Sequence, residues 1–225
     1  MTAPKPAELR AALDERIDEA AGRWLDEALA DIATGMRAIG TLFPAAGRKC
    51  GRGPLVDDVA AVESETLRSW NSEDAVRALL LTALPLTGAE LGTEISALYR
   101  YGDAAEKRGV LRGAGVLREE PELVDSVLPL VRDALRSNDT GLIAAGMAEF
   151  GAEHLDAPAY RQGVLKCVFL GIPLRDVFGL PERADSELAR MLTDYARERS
   201  AAGREIPNDV WLVVDPTQLH SAEEA

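Results

Sequence analysis

A lysine set into an otherwise apolar helix is the first place in this 225-residue chain where chemistry could start. Lys166 stands among Tyr160, Val164, Leu165, Cys167, Val168, Phe169 and Leu170, and only Arg161 and Gln162 otherwise interrupt the run. Gln162 and Lys166, four apart, share one stripe of the helix. A lysine so placed reaches out to water, pairs with a buried acid, or lines a polar cavity with a lowered pKa. The last case would suit general-base or Schiff-base chemistry, with Gln162 orienting a substrate. His154 is one of two histidines. If its helix persists, it falls on the side of Ile143, Met147 and Phe150, with Glu149, Glu153 and Asp156 nearby. That set would suit a proton relay. A hydrogen-bonded histidine at a helix end is the plainer reading, and a metal would need more ligands than these.

An acid completes the set. At about 100° per residue, Asp103 and Lys107 fall on the helix face of Val110, Leu111, Ala114 and Leu117, while Arg108 and Arg112 point the other way. Charge on a core-facing stripe needs a partner or a cavity. Local roles would also satisfy it, because Asp103-x-x-Glu106 reads as a capping box and Asp103 can pair with Lys107. Arg183, in a turn beside Pro181, is placed to reach an anion at a groove. Helices joined by short turns are usually neighbours, so Lys166, His154 and Asp103 are expected to face one interior region as catalytic residues. Gln162, Glu149 and Arg183 are expected to bind the substrate, Gln162 within that region and Glu149 or Arg183 at its rim, with no metal and no cofactor. The chain carries no phosphate-binding glycine loop, dinucleotide fingerprint, serine-nucleophile elbow, zinc-protease helix or Cys-x-x-Cys pair.

The elements that must position these residues read as helices. Leu9, Leu13, Ile17, Ala20, Trp24, Ala28 and Ile32 predict one long amphipathic helix over Pro6–Thr34, followed by a short one from Met36 to about Phe43. Pro44–Leu55 reads as a basic, glycine-rich loop carrying Arg48, Lys49 and Arg52. Further helices are expected over Asp57–Ser69, Ser72–Leu84, Gly88–Tyr101, Asp103–Leu117, Glu122–Ser137, Gly141–Glu153, Pro158–Leu170 and Asp185–Ala202. Only Asp209–Val214 suggests an extended segment, and the chain from Pro216 reads as a disordered tail. Short turns between helices imply an all-α fold of antiparallel helical hairpins, packed as a compact HEAT-like solenoid or bundle. One domain over 1–215 is expected, with an N-terminal helical cap to about residue 70 and hairpins over 71–204.

Composition supports helix-on-helix packing, since aromatics are only 5% of a chain that is 47% hydrophobic. The net charge of −13 disfavours nucleic acid and anionic lipid as partners. The N-terminus shows no apolar signal region, and the windows Ala78–Leu86 and Val164–Leu174 are too short to span a bilayer, so a cytoplasmic protein is expected. Two reduced thiols are expected at Cys50 and Cys167, with Cys50, in the glycine-rich loop, labelled first.

The second half resembles a known family. Leu98-Tyr99-Arg100-Tyr101-Gly102-Asp103-Ala104-Ala105-Glu106-Lys107-Arg108, Gly163-Val164-Leu165-Lys166-Cys167-Val168-Phe169-Leu170-Gly171-Ile172-Pro173-Leu174, and Gly179-Leu180-Pro181-Glu182-Arg183-Ala184-Asp185 through Arg199 to Gly203-Arg204 are similar to the EboA family. The resemblance covers about Ala75–Trp211. Where the family has an Asn-Pro-Tyr-like turn ahead of the apolar helix, this chain reads Ala148-Glu149-Phe150-Gly151-Ala152-Glu153-His154-Leu155, the mark of a divergent member. The family is named for a gene cluster whose neighbours resemble a prenyltransferase, a dehydroquinate-synthase-like enzyme and metal hydrolases. The resemblance implies a role in making or moving a specialised, partly hydrophobic metabolite.

Two functions fit. One is an isomerase- or cyclase-type enzyme that works on an apolar small molecule by acid–base catalysis, without metal or nucleotide. The other is a non-catalytic scaffold or carrier that binds pathway enzymes or their hydrophobic intermediate. The polar groups in the apolar helix tilt the reading to the enzyme. A closed, apolar-walled pocket with convergent ionisable groups would support catalysis, and an open groove would support binding.

Overall fold

The computed structural model describes residues 3–36, 38–56 and 65–219. The N-terminal apolar stripe forms two helices rather than one, α1 (Pro6–Asp14) and α2 (Glu19–Ala33). Asp18 is the reason. Its carboxylate accepts from the Ala21 N–H at 2.8 Å and its backbone is extended, so a local cap outcompetes continuation of the helix. The stripe still buries Leu9, Leu13, Leu25, Ala28 and Ile32 on one side.

The short helix expected from Met36 to about Phe43 is α3 (Ile39–Leu42), and the stretch read as a basic loop is partly helical, with a 3-10 turn leading into α4 (Ala46–Lys49). Phe43, Ala46 and Cys50 anchor it in the core while Arg48 and Lys49 stay outside. Of the helix expected over Asp57–Ser69, residues 57–64 lie outside the described residues, and Glu65–Ser69 is a 3-10 helix.

The centre of the molecule is α5 (Ser72–Thr82), buried continuously from Ser72 to Leu81. After it come α6 (Gly88–Tyr101), α7 (Ala104–Val116), α8 (Val124–Arg136), α9 (Thr140–Gly146) and α10 (Glu149–His154). The chain closes with α11 (Ala157–Leu170), α12 (Leu180–Arg183) and α13 (Ser186–Ala201). Aspartates cap five of these helices by accepting a backbone N–H: Asp18, Asp103, Asp139, Asp156 and Asp185. The single helix expected over Gly141–Glu153 is broken at Met147-Ala148, where Gly151 folds close against the Gly146 carbonyl. Asp209–Val214 is not extended; Asn208–Leu212 is a 3-10 helix that buries Val210. Of the expected tail, Pro216–Leu219 forms a 3-10 turn.

The fold is all-α, with no strand among the described residues beyond an isolated bridge between Pro54 and Asn71. Helices meet alternately along the chain: α5 packs on α7, α7 on α9, α9 on α11 and α11 on α13, while α6 packs on α8. One hydrophobic cluster runs from Leu9 to Val214. No helix among the described residues is long and apolar enough to cross a membrane.

The helical wheel misassigned one face of α7. Most of Arg108 is buried against α5 and Arg112 is buried beside Trp70, because α7 is covered on both sides. Gly109 and Gly113 allow that approach: a Cβ on Gly113 would lie 3.3 Å from the Ala78 Cα and 2.5 Å from Leu81 Cδ1. In the seam Arg108 pairs with Glu73 at 2.5 Å and Asp74 at 2.8 Å, and Arg77 donates to the Phe43 and Ala105 carbonyls.

Candidate functional site

Two open clefts divide four of the residues singled out by the sequence. The first lies between α8 and α11 and has a volume of about 620 Å³. Helix α11 is apolar nearly all round, so it buries Tyr160, Val164, Cys167 and Val168 in the core and must present its remaining apolar residues outward. Phe169 is 62% exposed and Leu170 38%. With Leu135 and Leu165 they form an apolar floor, and Phe169 is steadied edge-on by Tyr195 at 4.9 Å between ring centres.

Cations rim this cleft. Arg132, Arg136 and Lys166 line it, and no carboxylate does. Arg132 lies 3.3 Å from Asp156, while Arg136 has no ion-pair partner among the described residues. The Lys166 ammonium donates to the carbonyls of Leu135 at 2.8 Å and Ser137 at 2.5 Å. Leu135 is in the last turn of α8 and Ser137 is its C-cap, so the ammonium sits at the negative end of the helix dipole, where carbonyls lack helical partners. Lys166 therefore caps a neighbouring helix, an option that its own sequence neighbourhood did not suggest. Gln162 is exposed on the same cleft.

The second cleft, about 380 Å³, is built by α10, α12 and the turn before α12. Glu149, the first residue of α10, is 3% exposed and its Oε2 has no hydrogen-bond partner. Burial pushes its carboxyl above the ordinary carboxylate range, against the opposing pull of Arg112 and Arg118. Gly115 makes room for it; a Cβ there would stand 3.0 Å from Oε2. Arg183 lines the same cleft but is committed, donating to the Ala152 and Leu155 carbonyls and lying 4.0 Å over the Tyr160 ring.

Lys166, Gln162, His154 and Asp103, expected to face one interior region with Glu149 or Arg183 at its rim, are thus separated. Lys166 and Gln162 line the first cleft, and Glu149 and Arg183 the second. Asp103 is exposed and spent in the capping box, accepting from the Glu106 N–H at 2.9 Å while its own N–H donates to Glu106. It lines neither cleft, because the N-terminus of α7 reaches the surface. His154 rests on the Phe150 ring at 4.4 Å, with Nε2 buried and unpartnered, and lines neither cleft either. Its wheel position assumed a helix continuous from Gly141, and the break at Met147-Ala148 re-aims it.

Sequence reasoning missed Arg112, which is 4% exposed, donates to the Ser69 carbonyl at 3.0 Å and faces the Trp70 ring at 5.5 Å. The Gly109-x-x-x-Gly113 spacing was the available signal, since it marks a second closely packed face on α7. A family model described as "Metabolite traffic protein EboA" matches residues 6–215. No curated protein and no solved structure matches the chain.

Proposed function

The chain belongs to the EboA family of metabolite traffic proteins, and from that premise we propose that it binds and carries a partly apolar, anionic metabolite in the cleft between α8 and α11. One observation carries the reading: in a chain of net charge −13, this apolar-floored cleft is rimmed by three cations and lined by no acid. Leu135, Leu165, Phe169 and Leu170 would cover the apolar body of the ligand, and Arg136 and Arg132 would meet its anionic group. An open cleft suits loading and release.

Catalysis by Lys166 is disfavoured by its two carbonyl partners, which commit its Nζ to capping α8. The isomerase or cyclase reading is favoured by one feature, the buried carboxyl of Glu149 at a cleft wall. That cleft is also open, and His154, the only described histidine, lies outside it. Carriage is therefore the better-supported function.

The test uses 8-anilinonaphthalene-1-sulfonate, an apolar anion, titrated by fluorescence. The wild-type chain should bind it saturably, more weakly as salt rises. Phe169→Ser with Arg136→Glu, both at exposed positions, should weaken binding about tenfold with an unchanged melting temperature. Equal affinity in the double variant would overturn the assignment of this cleft.

A further inference from the structure

The second cleft has the opposite electrostatic character from the first. Three carboxyls, Glu149, Glu153 and Glu182, line it with two guanidiniums. Both guanidiniums are already engaged. Arg183 is held by two carbonyls and the Tyr160 ring, and Arg118 lies 3.8 Å from Glu153. That leaves two carboxyls unbalanced. Glu182 is exposed and has no ion-pair partner among the described residues, and Glu149 is 3% exposed with Oε2 unpartnered. Leaving a buried polar atom without a partner costs about 1–3 kcal/mol, and folded proteins keep few such atoms. One kept at the wall of a cleft suits a ligand that completes it.

We propose that this cleft is a binding site for a small organic ammonium, a protonated primary amine on an apolar body. Its N–H would donate to Glu149 Oε2, Glu182 would balance its charge from the rim, and its apolar part would rest on Phe178 and Ala152. A neutral hydroxyl could satisfy the hydrogen bond but not the carboxyl charge. An anion would meet three carboxyls.

The site also sets the pH dependence. Glu149 is faced by Arg112 from α7, by Arg118 beyond the end of α7, and by the cleft's own Glu153, Glu182 and Arg183. The two arginines favour its ionised form, but burial outweighs them and raises its pKa above the ordinary carboxylate range. An ammonium beside Oε2 favours the ionised form. Amine binding therefore strengthens as pH rises through the folded pKa of this carboxyl.

This inference is independent of anion carriage in the first cleft. Calorimetry on the full chain would compare benzylamine, benzyl alcohol and benzoate at a series of pH values from the acid side upwards. Benzylamine should bind about tenfold more tightly than benzyl alcohol, and benzoate should not bind. The amine's affinity should rise with pH. Anilinonaphthalene sulfonate in the first cleft should not displace it. Glu149→Gln should weaken amine binding about tenfold and abolish the pH dependence. Loss of discrimination among the three probes, absence of amine binding, or undiminished binding by Glu149→Gln would each overturn the proposal. Should Glu149→Gln fail to fold, Glu182→Lys, at an exposed position, decides: it should abolish amine binding, and retention would overturn the site.

Discussion

At Lys166 a charge persists in an apolar helix because the end of another helix supplies its partners. The ammonium contributes two charge-assisted hydrogen bonds to carbonyls that would otherwise face partly excluded solvent. Lys166→Met keeps most of the volume and removes both bonds, so it should cost about 1–2 kcal/mol in urea unfolding. A loss of about 3–5 kcal/mol would instead indicate an abandoned buried acid, and no loss would place the ammonium in water. The thiols follow the same logic of surroundings over neighbours. Cys50 ends α4 and is buried along with Cys167, and burial pushes the two thiols up to about 11 and about 12. The expectation that Cys50 labels first gives way: both should react slowly in the native chain and rapidly in urea. Fast labelling of Cys50 under native conditions would contradict the helical placement of its segment.

Among the elements, the glycines separate close contact from mere permissiveness. Gly151 lies where α10 folds back on the end of α9, and a Cβ there would run into the Gly146 carbonyl oxygen. Backbone cannot yield as a side-chain tip does, so Gly151→Ala should lose about 2–3 kcal/mol and disturb the α9–α10 corner that carries Glu149. A Cβ on Gly22 in α2 would meet nothing within 4 Å, and Gly22→Ala should gain about 0.5–1 kcal/mol from helix propensity. Paired thermal melts of the two variants check both signs. Equal effects would mean that α9 and α10 do not meet as described.

For the whole molecule, the buried carboxyl of Glu149 shapes stability against pH. Its folded pKa lies above the ordinary value of 4.5, so the native chain holds a proton that the unfolded chain releases. Stability from this group is complete below about pH 4.5 and is lost as pH rises through the folded value. Asp176, also raised chiefly by burial, acts in the same direction. Glu149→Gln removes one of the two contributions. The unfolding free energy of the wild-type chain minus that of the variant should therefore fall as pH rises from about 4.5 through the folded pKa of Glu149. A difference flat with pH would contradict the burial of this carboxyl.

The all-α class, most helix positions and the aspartate cap at Asp103 were legible in the sequence, because they depend on groups three or four residues apart. The same short-range chemistry broke the expected long N-terminal helix at Asp18, a cap that the continuous apolar stripe around it concealed. What each helix face meets was decided elsewhere. Glu73 and Asp74, acids in the first turn of α5, are buried against Arg108, 35 and 34 residues away. Lys166 finds its carbonyls 31 and 29 residues back along the chain. Spacing within a helix sets which side chains share a face, but burial and charge pairing depend on which helix covers that face. That is why the sequence marked Lys166, Gln162, Glu149 and Arg183 as residues to watch, and only the packing of α8, α10, α11 and α12 divided them between two clefts of opposite charge.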